Sequence, residues 1–373
     1  MKNNKKNIKI AVDARPLIHP HNGNASYHHK MLKNLISIRK DTKWLLFSHR
    51  PIHELHRDLL KNSNVSIAAE RHFLPGPLWL HFILPGLVKK TDCNLFWGSL
   101  SMLPFLSAKR FSIPTMVNFH DLNARVVPET MVLWKKIQHR FLDGRSLRDA
   151  DAVICLSETT KNDILRFYPK LNQRKLHIVY PGSELEAVKP RTPGKLKILK
   201  KFILCVGTIE PRKNQKTVIE GYLKAREIQE NLPELLFTGR KGWGDSGIHE
   251  LLSSGNLEER GIYYLDNASR DELAWCYKNA LFCILPSLHE GFGLPLLEAM
   301  QWKKMTVLSD IPIFREICRT CSFVEARNPD KWKDMILKTA LKKKLPAPAF
   351  NRKFWSWKER AGYLSGIIDQ LTE

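Results

Sequence analysis

The residues best suited to chemistry lie in one stretch, Leu285-Pro286-Ser287-Leu288-His289-Glu290-Gly291-Phe292-Gly293-Leu294-Pro295-Leu296-Leu297-Glu298-Ala299-Met300. The apolar run Ala280 to Leu285 reads as a strand, the two glycines as a loop, and Pro295 as the first turn of a helix, where a missing N–H is harmless. Free backbone donors and the positive end of a helix dipole at such a junction favour an anion. Glu290 sits in the loop and Glu298 on the helix. Eight positions apart, they are up to ~12 Å distant along the helix axis. A retaining glycosidase needs its two carboxylates ~5 Å apart, so these two are not expected to work as nucleophile and acid.

Two further strands end in polar residues. Thr115 to Phe119 is followed by His120-Asp121, and Ala152 to Leu156 by Ser157-Glu158-Thr159. His120 either caps backbone or meets a ligand. Ser157 either caps the next helix, with Glu158 in its first turn, or contacts substrate. Asp149-Ala150-Asp151 matches the Asp-x-Asp pattern of metal-bound nucleotide-sugar sites, but its place at a helix end before a buried strand reads as surface and capping. Cys318 and Cys321 form the only CxxC; without a second pair or clustered histidines no metal site is expected. The 7 cysteines lie mostly in apolar runs and read as reduced, buried thiols.

The elements that position these residues alternate. Ile8 to Asp13 is a strand, Arg15 to Asn24 a loop carrying Gly23, and a helix follows from about Ser26, which is how a Rossmann-type half begins. Strand-like runs at 44–47, 65–67, 95–97, 115–119 and 152–156 continue the series, and such alternation argues for a parallel sheet with helices on both faces. Tyr180-Pro181-Gly182 closes the first half. A second series begins with Phe202 to Gly207 (strand), Thr208 to Asn214 (loop) and Gln215 to Glu230 (helix), and runs through strands at 235–239, 262–265, 282–285 and 306–309. The expected organisation is a first Rossmann-like domain over 1–185, a linker over 186–200, a second over 201–345, and a helical tail over 346–373. Phe354, Trp355 and Trp357 are expected to dock that tail as core residues.

A chain of 373 residues with 43% hydrophobic residues and 21 prolines is long enough for two folded domains and is not a disordered composition. The net charge is +23, and residues through Leu185 hold 29 Lys and Arg against 14 Asp and Glu, so the first half carries most of the excess. Basic excess attracts nucleic acid, anionic lipid or phosphorylated substrates alike. No nucleic-acid recognition module accompanies it. The longest apolar run, Leu74 to Val88, is interrupted by Pro75, Pro77, His81 and Pro85 and falls short of the ~20 residues of a spanning helix. Met1 to Lys9 is polar and basic, so no secretory signal is expected. The chain is expected in the cytoplasm.

In Val206-Gly207-Thr208-Ile209-Glu210-Pro211-Arg212-Lys213-Asn214, Ser287 to Met300, Asn118-Phe119-His120-Asp121 and Trp355-Ser356-Trp357-Lys358, taken in this order, the sequence resembles the retaining glycosyltransferases of glycosyltransferase family 4. That family has the GT-B fold and includes bacterial mannosyltransferases of lipopolysaccharide and capsule assembly. The resemblance covers nearly the whole chain. It implies an α/β protein with two Rossmann-like domains facing across a cleft, a C-terminal helix returning to the first domain, a nucleotide-sugar donor on the second domain and the acceptor on the first.

By this resemblance Arg212 and Lys213, after the strand and Gly207, would grip the donor diphosphate, as a guanidinium fork and a point charge can. Glu298 would bond the ribose hydroxyls. Glu290 would face the donor sugar and stabilise its oxocarbenium-like transition state, a β-phosphate oxygen taking the acceptor proton. Backbone N–H groups of Gly291, Phe292, Gly293 and Leu294 would orient sugar or phosphate. His120 would contact the sugar, with Asp121 fixing its tautomer. No cofactor and no metal are implied.

Two departures stand out. Gly23-Asn24-Ala25-Ser26-Tyr27 replaces the second Gly and the Arg of a family Gly-x-Gly-Arg-Tyr pattern, and Phe314-Arg315-Glu316-Ile317-Cys318 replaces a Pro-Glu that precedes a Gly. Gly23, Asp121 and Ser157 are carried as substrate-loop candidates. Val126 to Phe141 interleaves apolar residues with Lys135, Lys136, His139 and Arg140, which suits either a helix at an anionic lipid interface or one packed internally; Arg71 to Val88 is grouped with it. The expected reaction moves a hexose, mannose from GDP-mannose first, to a glycan or polyprenyl-linked acceptor. A UDP-sugar donor is the main alternative, and base choice would fall to loops such as Arg240 to Gly247 and Asp266 to Asp271. A nucleotide-sugar-binding module without turnover ranks lower, a nucleic-acid binder last.

Overall fold

The structure is a computed structural model that describes residues 8–20, 23–69, 72–105, 111–183, 188–196, 201–244, 247–254, 256–342 and 346–373. It divides into two compact units. The first comprises Met1–Leu122, Ile137–Gly182 and Lys353–Glu373, and the second Asn123–Lys136 and Ser183–Arg352.

The first unit is built on a parallel sheet of 7 strands in the order β3-β2-β1-β4-β5-β6-β7. These are β1 (Lys9–Asp13), β2 (Lys43–Ser48), β3 (Val65–Ala69), β4 (Leu95–Gly98), β5 (Thr115–Phe119), β6 (Ala152–Cys155) and β7 (Leu176–Ile178). Among the helices of this half of the chain are α1 (Gly23–Ile38), α2 (Gly76–Phe82), α3 (Leu84–Lys89), α4 (Asn123–Val126), α5 (Leu133–Asp149) and α6 (Glu158–Phe167). The strands are short apolar runs because parallel sheets are covered on both faces and their crossovers are helical.

The second unit has a parallel sheet of 6 strands in the order β10-β9-β8-β11-β12-β13: β8 (Phe202–Val206), β9 (Glu234–Thr238), β10 (Ile262–Leu265), β11 (Phe282–Leu285), β12 (Thr306–Ser309) and β13 (Ser322–Val324). Its helices include α7 (Gln215–Ile228), α8 (Ile248–Ser253), α9 (Arg270–Asn279), α10 (Leu294–Gln301), α11 (Pro312–Ile317) and α12 (Pro329–Ala340). The two-residue period of β8 divides its side chains between the faces. Ile203 and Cys205 pack with Tyr222 and Trp332 on one side. Phe202 and Leu204 pack with Tyr277 and Ala299 on the other. Strand order reverses between β8 and β11, which pair as Phe282↔Ile203 and Cys283↔Leu204. Ligands of open α/β sheets bind outside the carboxyl ends of strands at such a reversal.

Several features differ from the sequence reading. The helix expected from Ser26 begins at Gly23, and Arg15–Ile18 forms a 3-10 turn. Of the expected linker, 186–187 and 197–200 lie outside the described residues. The part between them packs on the second unit: Val188 and Leu196 join its core, and Arg191 pairs with Asp271 at 2.5 Å. Asn123–Lys136 also belongs to the second unit, because Glu129 pairs with Arg327 and the Lys135 ammonium lies 4.8 Å from the Trp243 ring centre. Cys318 and Cys321 are disulfide-bonded rather than reduced, and the other five cysteines are buried thiols.

The last helix, α13 (Trp357–Thr372), packs with α1 in the first unit. Tyr27 meets Trp357 with ring centres 5.7 Å apart. Arg39 donates to Ser365 Oγ at 2.9 Å and to Asp369 Oδ1 at 2.6 Å.

Candidate active site

Two loops converge where β8 and β11 end. The loop after β8 runs from Gly207 through a 3-10 turn, Pro211–Lys213, to Asn214, which holds the left-handed conformation (φ 55°). The Asn214 amide donates to Pro286 O at 3.1 Å and Ala326 O at 2.6 Å, and Leu288 N donates to Arg212 O at 2.8 Å. These bonds set Arg212 and Lys213 against the loop after β11. Gly207 lies beneath Lys213: a Cβ there would sit 3.6 Å from Lys213 Cδ, on a backbone (φ 154°) that other residues rarely adopt.

Four charged side chains interlock at this junction. Arg212 Nη1 donates to Glu290 Oε2 at 2.8 Å and to His289 O at 2.7 Å, and Arg212 Nη2 to Glu210 Oε1 at 2.6 Å. Lys213 Nζ pairs with Glu290 Oε1, which also accepts from Ser287 Oγ at 2.7 Å. Glu210, Arg212 and Glu290 are all buried. Burial opposes ionisation of Glu290, but Lys213 and Arg212 outweigh it and hold the carboxyl well below its ordinary range. Glu210 goes the other way: burial raises it, and with Glu290 repulsion it prevails over the lowering by Arg212 and Lys213. Its Oε2 is buried without a hydrogen bond among the described residues. Glu290 is therefore a fixed anion with both oxygens engaged, not a base, and Glu210 is the carboxylate that protonates first.

The glycine loop ends at α10. Gly293 is its N-cap with φ 92°, and a Cβ there would lie 2.9 Å from Phe314 Cε1. Pro295 stands in the first turn, and no side chain caps the helix. Gly291 and Phe292 are buried and Leu294 is half-buried. One turn on, half-buried Glu298 accepts from Tyr277 OH at 3.0 Å. Burial and the Glu298 charge push the Tyr277 hydroxyl well above its usual range, so it stays a donor. Glu298 thus faces a different partner set from Glu290.

In the first unit, half-buried His120 follows β5, and its Nε2 donates to Ser99 O at 3.0 Å. A carbonyl only accepts, so this bond fixes the proton on Nε2. Burial lowers the His120 pKa against the opposing effects of the Ser99 bond and Asp121, favouring the neutral ring. The Tyr27 ring packs edge-on at 5.2 Å. Gly23 opens α1, and a Cβ on it would meet nothing within 4 Å. Of the two readings open for Ser157, the structure shows the cap: it is fully buried and its Oγ accepts from Thr160 N at 2.9 Å at the start of α6. Asp149 pairs with Arg145 at 3.7 Å, while Asp151 Oδ2 accepts from Thr115 N at 2.7 Å. Both are structural. Among the described residues no three His, Cys, Asp or Glu side chains converge as metal ligands.

The sequence reading passed over Glu210, Ser287, Tyr277 and Trp243. Glu210 was legible, standing two residues before Arg212 in the run from Val206 to Asn214. Trp243, whose ring centre is 6.0 Å from the Arg212 guanidinium, was not, since only folding brings its loop over β8.

Solved structures match the chain over nearly its whole length. HepE from Anabaena, in complex with UDP and glucose, aligns with a TM-score of 0.72 at 14% identity, covering 98% of this chain and 100% of that one. WaaG, a glycosyltransferase involved in lipopolysaccharide biosynthesis, aligns with a TM-score of 0.65 at 13% identity, covering 98% and 97%. The fold is GT-B, with two Rossmann-like α/β domains. The family descriptions "Glycosyltransferase Family 4" and "Glycosyl transferases group 1" match residues 29–187 and 189–349. The chain belongs to glycosyltransferase family 4. Among curated relatives, O-antigen chain mannosyltransferase B of Escherichia coli is 28% identical over 233 residues, 57% of each chain. The serotype-specific mannosyltransferase WbdA of Escherichia coli is 31% identical over 187 residues, 46% of this chain but 23% of WbdA.

Proposed function

We propose that the protein is a retaining, metal-independent hexosyltransferase that moves mannose from GDP-mannose to a glycan or polyprenyl-linked acceptor in cell-surface polysaccharide synthesis. The observation that carries this reading is the charged knot of Glu210, Arg212, Lys213 and Glu290 at the β8–β11 reversal, beside the N-terminus of α10. A diphosphate arriving there competes with Glu290 for Lys213 and for part of Arg212. Glu290, released from one cation, then faces the donor sugar as a fixed negative charge where positive charge develops. Glu298, oriented by Tyr277, takes the ribose, and the neutral His120 ring takes a sugar hydroxyl. The acceptor hydroxyl forms the new bond to the anomeric carbon as the bond to the β-phosphate breaks. Its proton goes to the departing phosphate oxygen, so no protein base is required.

Mannose rests on the relatives named above. UDP-glucose or UDP-N-acetylglucosamine is the second reading, favoured by the UDP and glucose bound in HepE. A non-catalytic module ranks below both. Thermal shift with each donor, then nucleotide release with and without EDTA, tests the proposal. Stabilisation and EDTA-insensitive release with GDP-mannose alone is expected. Preference for a UDP-sugar overturns the donor assignment, and release equal to that of Glu290→Ala overturns the enzyme.

Among the described residues no helix is long and apolar enough to cross a membrane. Trp134, Ile137 and Phe141 of α5 are nevertheless exposed, which supports placing the enzyme peripherally on the cytoplasmic face of an anionic membrane.

A further inference from the structure

Helix α5 is amphipathic in the inverted sense. Its inward residues include Asp143 and Ser146 beside Leu147, whereas Ile137 and Phe141 face outward, 49% and 73% exposed. A pocket of about 740 Å³ opens beside this outward face, between the second half of α5 and the loop that follows α6. Its lining contains five cations, Arg140, Arg145, Arg148, Lys170 and Lys175, and no carboxylate.

Not all of that charge is compensated by the protein. Arg145 pairs with Asp149 at 3.7 Å and lies 5.3 Å from the Phe105 ring centre. Lys175 Nζ donates to Arg148 O and Ala150 O at 3.0 Å each, neutralising the carbonyl end of α5. Arg148 and Lys170 are exposed at the pocket and enter no ion pair among the described residues. Like charges gathered around a concave surface concentrate anions there. Phe141 lines the same pocket, and Phe82, 60% exposed, continues the apolar surface through Phe105 at 6.4 Å.

We propose that this pocket binds the phosphate headgroup of an anionic phospholipid, Arg148 and Lys170 meeting the phosphate while Phe141, Ile137 and Phe82 enter the acyl boundary. A soluble phosphate would use the cations but not the apolar rim, so the pairing of the two selects lipid. The site lies away from Arg212, Lys213 and Glu290 in sequence and in unit, and it is not required by the choice of donor. It rests on the proposed peripheral placement, which it sharpens from general attraction to a built site.

The test is sedimentation of the full chain with phosphatidylcholine vesicles, with and without phosphatidylglycerol. Arg148→Glu with Lys170→Glu is compared with Lys40→Glu and Lys43→Glu, an equal charge change at exposed positions of the same unit. The pocket pair should weaken binding to anionic vesicles about thirtyfold and the control pair less than about threefold. Phe141→Ser should also weaken it, and glycerol 3-phosphate should not displace the protein. Melting curves confirm that each variant is folded. Equal loss from both charge pairs would leave membrane attraction intact but overturn the pocket. Displacement by glycerol 3-phosphate would make it a soluble-phosphate site, and no binding of the wild type to any vesicle would overturn pocket and peripheral placement together.

Discussion

Glu290→Gln tests the charged knot most directly. The carboxylate accepts from Ser287 Oγ at 2.7 Å and Arg212 Nη1 at 2.8 Å and pairs with Lys213. An amide keeps one acceptor and turns the other into a donor aimed at a cation. Breaking a buried ion pair by removing one partner costs about 3–5 kcal/mol. Arg212 keeps Glu210 and the His289 carbonyl, so the lower end, about 3 kcal/mol, applies here. For a domain of this size that lowers the melting temperature by roughly 6–12 °C.

The effect must also depend on pH. The folded carboxyl is held below its ordinary 4.5, so its contribution is complete above that value and is lost as pH falls toward the folded pKa. The gap between wild type and variant should narrow by up to about 1.4 kcal/mol per pH unit below 4.5. Glu210, raised instead, costs stability as pH rises above 4.5 in both proteins, less so in the variant, where the Glu290 repulsion is gone. The difference between them is therefore the quantity to follow. Thermal melts from about pH 7 down to about pH 3 give it. In the same variant, nucleoside diphosphate affinity should be kept or improved, because a competitor for Lys213 is gone, while turnover falls on the order of a hundredfold. A gap under about 1 kcal/mol, or one unchanged with pH, would refute the knot as described.

Lys213→Ala should weaken nucleoside diphosphate binding by about 10–100-fold, measured by calorimetry; unchanged affinity would remove Lys213 from the phosphate site. Gly293→Ala should cost about 1–2 kcal/mol, since the residue is left-handed and its Cβ would press on Phe314 at 2.9 Å. A stable, fully active variant would argue against the tight entry to α10. Ser157→Ala should lose about 1 kcal/mol of cap energy with unchanged kcat, whereas a kcat loss in a fully stable protein would restore Ser157 to the substrate loop.

Much of this architecture was legible before any coordinates. Runs such as Phe202 to Val206 announce strands buried on both faces, and Gly293 followed by Pro295 announces a helix entry, because those signals are local. The signals that failed are non-local. Nothing near Ser157 distinguishes a buried cap from a ligand contact, since both use the same hydroxyl. Asn123–Lys136 joins the second unit through Glu129–Arg327, a pair separated by 198 residues. The engagement of Arg212 with Glu210 and Glu290 depends on loops after two strands that are neighbours only in the sheet. Likewise α5 reads as amphipathic from its residues, yet its sequence does not say which face is outward.

The Arg39–Asp369 bond has a consequence for synthesis. Its ends are 330 residues apart, so at about 5–20 residues per second α1 emerges roughly 15–65 s before its partner helix can be made. During that interval Tyr27 and Lys30 lack the Trp357 surface they later meet. The second unit, continuous from Ser183 to Arg352 apart from one earlier segment, is complete before the first. The nascent chain thus finishes its later-encoded body before its earlier one, and a ribosome stalled near Arg352 would hold a nearly finished second unit beside a first unit with an uncovered apolar face.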